Sequence, residues 1–241
     1  MTLLGADRPW YSTAAPLPRT TWPTVAVAAE GAASVAKRAA APVGLAGWGE
    51  GGVVALAVAA LHPDLVDRVV LIGTPAPDAE VPWLPAEERA LLDGVRDASP
   101  EEAHAAIAAH LAARVPRSPT REEALALLHA SDADEAALAR PGAADRLTAM
   151  VEAALAPGLD GLAGDLAALH LRPWGFAPEA VRARTLLLHG SKDPVAASTH
   201  ARWWKAHVPD SRIEMSPGAG HLLVVPAWKR ALAHLAPTRR G

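Results

Sequence analysis

Asp193, in His189-Gly190-Ser191-Lys192-Asp193, and His221, in Pro217-Gly218-Ala219-Gly220-His221, each lie in a loop after a run of strand length, and His221 stands beside glycine. A carboxylate brought against an imidazole makes a general base, because the carboxylate fixes the ring tautomer and stabilises its charged form. The other reading of the pair is an anchor between two loops. Upstream, Gly47-Trp48-Gly49-Glu50-Gly51-Gly52 separates an apolar run of strand length from one of helical length. Two motifs fit it. Through Gly47, Gly49 and Gly52 it is G-x-G-x-x-G, the dinucleotide fingerprint. Through Gly47, Gly49 and Gly51 it is the G-x-S-x-G turn that presents a nucleophilic serine, with Gly49 in the serine's place. On either reading the free N–H groups of Glu50 to Gly52 favour an anion.

The elements that must position these residues follow from apolar runs and breakers. Thr2 to Ala6 reads as a short strand ended by Asp7-Arg8-Pro9. Val25 to Ala40 reads as a helix, Val43 to Ala46 as a strand, Gly51 to Leu61 as a helix and Arg68 to Gly73 as a buried strand. No strand signal follows until Arg184. Instead Ser99-Pro100-Glu101-Glu102 and Thr120-Arg121-Glu122-Glu123 match capping boxes, starting helices near Pro100 and Arg121, with further helices over Ala143 to Ala156 and Leu162 to Leu171. A strand at Arg184 to His189, a helix at Ala196 to His207, a strand at Arg212 to Met215 and a helix at Ala227 to Leu235 complete the chain. The fold class is α/β: a mostly parallel sheet with flanking helices, residues 1–78 and 179–241 forming the core and 79–178 an inserted helical lid.

Length allows one large core, since the chain has 241 residues. A formal net charge of −3 with interspersed acids and bases argues against nucleic acid as a partner. No apolar run reaches the roughly 18 residues of a membrane span, and Met1 to Trp10 lacks the cationic and apolar pattern of a leader, so a cytoplasmic protein without a membrane partner is expected. The absence of cysteine removes disulfides, thiolate nucleophiles and Cys-ligated metal. Neither cofactor nor metal is expected.

The dinucleotide reading needs an acidic residue at the end of the next strand, which here ends Leu71-Ile72-Gly73-Thr74 with Asp67 before it. It fails that context. The order of elbow, then Asp193, then His221 in the loops after late strands resembles the α/β-hydrolase superfamily, as do His62-Pro63 and the strand leading to Pro75. The resemblance runs from Asp7 to Leu235 and implies Asp193 and His221 as acid and base, with a small-molecule substrate. Two departures stand out. Gly49 replaces the serine, so no acyl-enzyme forms there. Asp7-Arg8-Pro9-Trp10-Tyr11 looks like the segment after the family's fourth strand, so about three strands and one oxyanion donor are missing. Either Thr2 to Ala6 moves beside Val43 to Ala46 or a partner protein completes the sheet.

Gly49 serves equally as relief of a strained turn or as room for water or substrate. Glu50 is a pocket-floor carboxylate or a solvated first helix residue. Ser12 and Ser191 are substitute nucleophiles or loop hydroxyls. Trp10, Trp48, Trp83 and Trp174 are expected to line the cleft around Gly49, Glu50 and Gly51, while Trp203, Trp204 and Trp228 pack the last helices. His104, His110, His129, His170 and His200 lack metal-ligand spacing and read as surface residues. The expected function is a non-serine enzyme using the Asp193–His221 dyad on a small, partly apolar substrate by water activation, elimination or cyclisation. The alternatives are a non-catalytic ligand-binding or partner subunit, and an ordinary esterase with an engineered or substitute nucleophile.

Overall fold

Apolar residues on both faces of two central strands dictate a sheet covered by helices on each side. The computed structural model describes residues 2–11, 16–39 and 42–236. In chain order these form α1 (Val25–Ala36), β1 (Val43–Trp48), α2 (Gly51–Leu61) and β2 (Val66–Ile72). Six helices follow: α3 (Ala86–Gly94), α4 (Pro100–Ala112), α5 (Arg121–Leu127), α6 (Glu135–Leu138), α7 (Ala143–Leu155) and α8 (Asp160–His170). Then come β3 (Arg184–Gly190), α9 (Ser198–His207), β4 (Ser211–Ser216) and α10 (Val224–Leu235).

The strands lie in the order β1-β2-β3-β4 and every pair is parallel, with Trp48 beside Ile72, Ile72 beside Leu188 and Gly190 beside Ser216. Strand side chains alternate between faces. Val69, Leu71 and Leu187 therefore pack with α1, α2 and Trp204 of α9, while Val70, Ile72, Leu186 and Leu188 pack with Ala227 and Ala231 of α10. Burial on both faces is why β2 and β3 read as unbroken apolar runs. The close approach of α2 to the end of β2 depends on Gly52, where a Cβ would collide with the buried Thr74 side chain. All four strands point the same way, so the turns leaving them meet at one edge of the sheet, where ligand sites of open parallel sheets form.

The segment between β2 and β3 is helical and has its own apolar cluster, including Leu92, Ile107, Leu111, Val151 and Leu155. Both predicted capping boxes form. Glu102 N–H donates to Ser99 Oγ while Ser99 N–H donates to Glu102, and Thr120 and Glu123 repeat the arrangement. No helix among the described residues is long and apolar enough to cross a membrane.

Three expectations are corrected. Thr2 to Ala6 is not a strand. It lines one wall of an open groove of about 460 Å³ whose other wall is β1, with Val54, Trp228 and Leu235 among the residues that bound it. Among the described residues no backbone hydrogen bond joins that segment to β1, and without a ladder an apolar run is not a strand. Helix α9 starts at Ser198 rather than Ala196, because the Val195 and Ala196 N–H groups donate to Asp193. Helix α10 starts at Val224, before the predicted Ala227, since Pro226 is tolerated in a first turn. The predicted end of α1 at Ala40 lies outside the described residues; the helix closes at Ala36.

Candidate active site

Asp193 leaves β3 in a tight loop and is 4% exposed. Its Oδ1 accepts from the Val195 and Ala196 N–H groups at 2.8 and 2.9 Å, and its two oxygens lie 3.1 and 3.0 Å from His221 Nδ1. Burial on its own would raise this carboxyl, but the hydrogen bond and charge of His221 and the two N–H groups outweigh it and hold Asp193 below the usual carboxylate range. An ionised carboxylate only accepts, so Nδ1 of His221 carries the proton and donates it to Asp193. In the neutral ring the other nitrogen, Nε2, carries the lone pair.

That lone-pair nitrogen faces Gly49. The residue occupies the β1-to-α2 turn at φ +56°, and a Cβ built on it would stand 3.5 Å from His221 Nε2. Gly49 N–H donates to Ile72 O at 2.9 Å, which fixes the turn to β2. Among the described residues the Glu50 and Gly51 N–H groups have no backbone acceptor, so the start of α2 presents donors beside the same point.

The His221 loop is held from two sides. Trp48 Nε1 donates to His221 O at 3.0 Å, with the two rings 5.5 Å apart. From the helical insertion, Asp134 Oδ1 accepts the Leu222 N–H at 2.8 Å, and its Oδ2 accepts from Ser131 N–H and Oγ–H at 3.1 Å. Asp134 is 1% exposed.

A cavity of about 380 Å³ opens over Gly49, Glu50 and His221. Its walls are mostly apolar, with Trp48, Trp83, Leu127, Leu166 and Val195, and its polar lining adds Arg8, Glu88 and His129. Arg8 is committed elsewhere: Nε and Nη2 donate to Asp165 of α8, which also accepts from Tyr11 Oη–H at 2.8 Å. Glu50 approaches His170 Nε2 at 3.4 Å; burial would raise its carboxyl, yet the hydrogen bond and charge of His170 leave it lowered. Burial, then the neighbouring His221, lower His129. Among the described residues no three His, Asp or Glu side chains converge as metal ligands.

Of the residues singled out by sequence, Gly49, Glu50, Gly51, Trp48, Trp83 and His221 line this cavity, and Asp193 supports His221 from behind. Two tryptophans do not. Trp10, at φ +64°, packs against His104 and over Gly164 of α8, and Trp174 stacks between Phe176 and the buried Trp204. Each packs on partners away from the cleft. Trp203 and Trp204 pack together as expected, whereas Trp228 is 37% exposed on the β1 groove. The histidines are not all at the surface: His104 and His200 are buried, His200 Nδ1 accepting from Ala76 N–H, and His129 and His170 reach the cavity region. Ser191 Oγ accepts the Gly218 N–H at 2.8 Å in an exposed loop outside the cavity lining, and Ser12 lies outside the described residues. Sequence reasoning missed His129, Asp134 and the Arg8–Asp165 pair. Only Ser131-x-x-Asp134 left a local signal, a further capping-box pattern.

Strand order, elbow geometry and the Asp–His contact can be set against known proteins. The alpha/beta hydrolase fold family matches residues 11–226. A pimeloyl-[acyl-carrier protein] methyl ester esterase from Aromatoleum aromaticum is 30% identical over 181 residues, covering 73% of this chain and 65% of that protein. The chain thus spans a little under two thirds of that relative's length. Among solved structures, an esterase from Exiguobacterium antarcticum superposes with a TM-score of 0.60 at 18% identity, over 93% of this chain and 76% of that one. A thermophilic esterase from Thermogutta terrifontis gives 0.59 at 21% identity, over 94% and 75%. At such identities these two superpositions speak for the fold alone. The family match extends across the elbow, the insertion and the dyad, and the chain belongs to the α/β-hydrolase fold family.

Proposed function

We propose that this protein is an α/β-hydrolase-fold enzyme that works without a serine acyl-enzyme, His221 acting as general base on a small, partly apolar substrate above Gly49. The observation that carries this reading is the 3.5 Å between His221 Nε2 and the Cβ position of Gly49, with Asp193 behind the ring. A water oxygen or an acidic substrate proton fits where a serine side chain would start. In the ester-hydrolysis form, Nε2 takes a proton from water, the hydroxide oxygen adds to the carbonyl, and the Glu50 N–H donates to the resulting oxyanion. Collapse then expels the alkoxide, which takes its proton from His221. An ester is favoured among substrates because a relative is named as a methyl ester esterase. Elimination and ring closure would begin with the same proton abstraction. Helices α3 to α8 serve as a lid whose apolar residues select the substrate.

Turnover of 4-nitrophenyl butyrate tests the reading. His221→Ala is expected to lower kcat by about 10²- to 10⁴-fold, and an unchanged kcat would sink it.

A second reading, a non-catalytic subunit, is favoured by one observation: the groove along β1 leaves the outer edge of that strand without a strand partner among the described residues. On this reading an apolar strand from a partner protein pairs with β1. Amide exchange at Leu45 and Gly47 that is fast in isolation and slows on co-expression with a partner would support it. Slow exchange in the isolated monomer would remove its basis.

A further inference from the structure

We propose that His129 donates a hydrogen bond to the substrate's carbonyl oxygen from the side of the cavity facing the start of α2, an inference that rests on the reading of His221 as general base. His129 follows α5, where its N–H donates to Ala126 O at 2.9 Å and Ala130 N–H donates to Leu125 O at 3.1 Å. This pairing is the Schellman ending of a helix, whose left-handed position normally belongs to glycine. Histidine occupies it at φ +55°. Backbone conformation alone therefore does not account for the residue, and its side chain is the part left to explain.

The imidazole lines the cavity, edge-on to His221 with ring centroids 5.9 Å apart. Among the described residues it makes no hydrogen bond. An unbonded polar ring within one small molecule's width of the base is available to a ligand. Burial and the adjacent His221 favour its neutral form, which keeps one N–H donor and one lone pair. A neutral imidazole polarises a carbonyl without giving up its proton, so no charge accumulates on His129 when His221 becomes charged. Together with the Glu50 N–H it provides two donors to the oxyanion formed as water adds, and the proton balance still runs wholly through His221.

The test uses a tetrahedral oxyanion, phenyl methylphosphonate, titrated into protein carrying ¹⁵N-labelled histidine. The His129 imidazole signal is expected to shift on binding. His129→Gly suits the αL position and keeps the fold, yet should weaken binding about 10-fold or more, whereas His129→Asn tolerates the same backbone, retains a donor and should stay within about threefold of wild type. Undiminished binding by His129→Gly, or no binding by the wild-type protein, overturns the proposal. The two readings fail separately: full 4-nitrophenyl butyrate turnover in His221→Ala removes the base, while the phosphonate titration alone decides on His129.

Discussion

The Cβ position of Gly49 lies 3.5 Å from His221 Nε2, so His221 faces a backbone turn that carries no side chain. The turn keeps the conformation that a nucleophile would need, at φ +56°, and its tie to Ile72 O. A serine placed there would have its hydroxyl within hydrogen-bonding range of Nε2 after a rotamer adjustment.

Gly49→Ser is therefore expected to create a serine that reacts with a fluorophosphonate probe, while the wild-type protein stays unlabelled. Hydrolysis of 4-nitrophenyl butyrate by the variant should show a burst equal to one acyl-enzyme per chain. Intact-mass measurement checks both. Labelling of the wild-type protein would reveal a substitute nucleophile, and no labelling of the variant would show that the remaining oxyanion donors do not suffice.

Much of this arrangement is legible in the sequence. Strands β2 and β3 announce themselves because burial on both faces removes polar residues from Val69–Ile72 and Leu186–Leu188, and α4 and α5 are announced by caps that are local hydrogen-bond patterns. Asp193 and His221 were legible because short loops tie them to strand ends. Thr2 to Ala6 has the apolarity of a strand without being one, since local apolarity does not reveal whether a ladder partner exists. Trp10 and Trp174 escape the reading for a related reason: their partners, Gly164 with His104 and Phe176 with Trp204, are brought to them only by the tertiary fold. His129 gives no signal at all in a helix-ending sequence, Leu-Leu-His-Ala.

Acid should weaken the fold in two stages. His200 is lowered on folding to about 4, by burial first and by His189 second, although Asp193 and Asp78 pull the other way. Below its ordinary 6.5 the unfolded chain binds a proton that the folded chain refuses, so stability is complete above 6.5 and falls as pH drops through about 4, by about 3 kcal/mol at full extent. Asp78 acts in the next window. It accepts from Arg89 and from the Trp83 and Leu84 N–H groups, which outweigh burial and lower it to about 2. Its stabilisation, about 2 kcal/mol, is present above its ordinary 3.8 and is lost as pH falls through about 2. Urea unfolding at several pH values checks this. His200→Gln should flatten the decline between pH 6.5 and 4, and Asp78→Asn the decline below 4; an unchanged slope in either variant refutes that assignment.

Asp134 joins the helical insertion to the His221 loop and is not among the cavity-lining residues; its Oδ1 accepts the Leu222 N–H next to His221 and its Oδ2 closes the cap at Ser131. Asp134→Ala would leave the Leu222 N–H unpaired in a fully buried residue, at about 1–3 kcal/mol. It would also free the loop that aims Nε2 at Gly49. A misaimed base slows proton transfer more than it weakens binding, so kcat should fall about 10-fold with KM little changed, as expected for a positioning residue. Asp134→Asn keeps an oxygen for Leu222 and should recover most of the rate. Measuring kcat, KM and urea stability for both variants separates the roles: stability lost at full kcat marks Asp134 as purely structural, and full stability with full kcat in Asp134→Ala would mean that the insertion does not hold His221 in place.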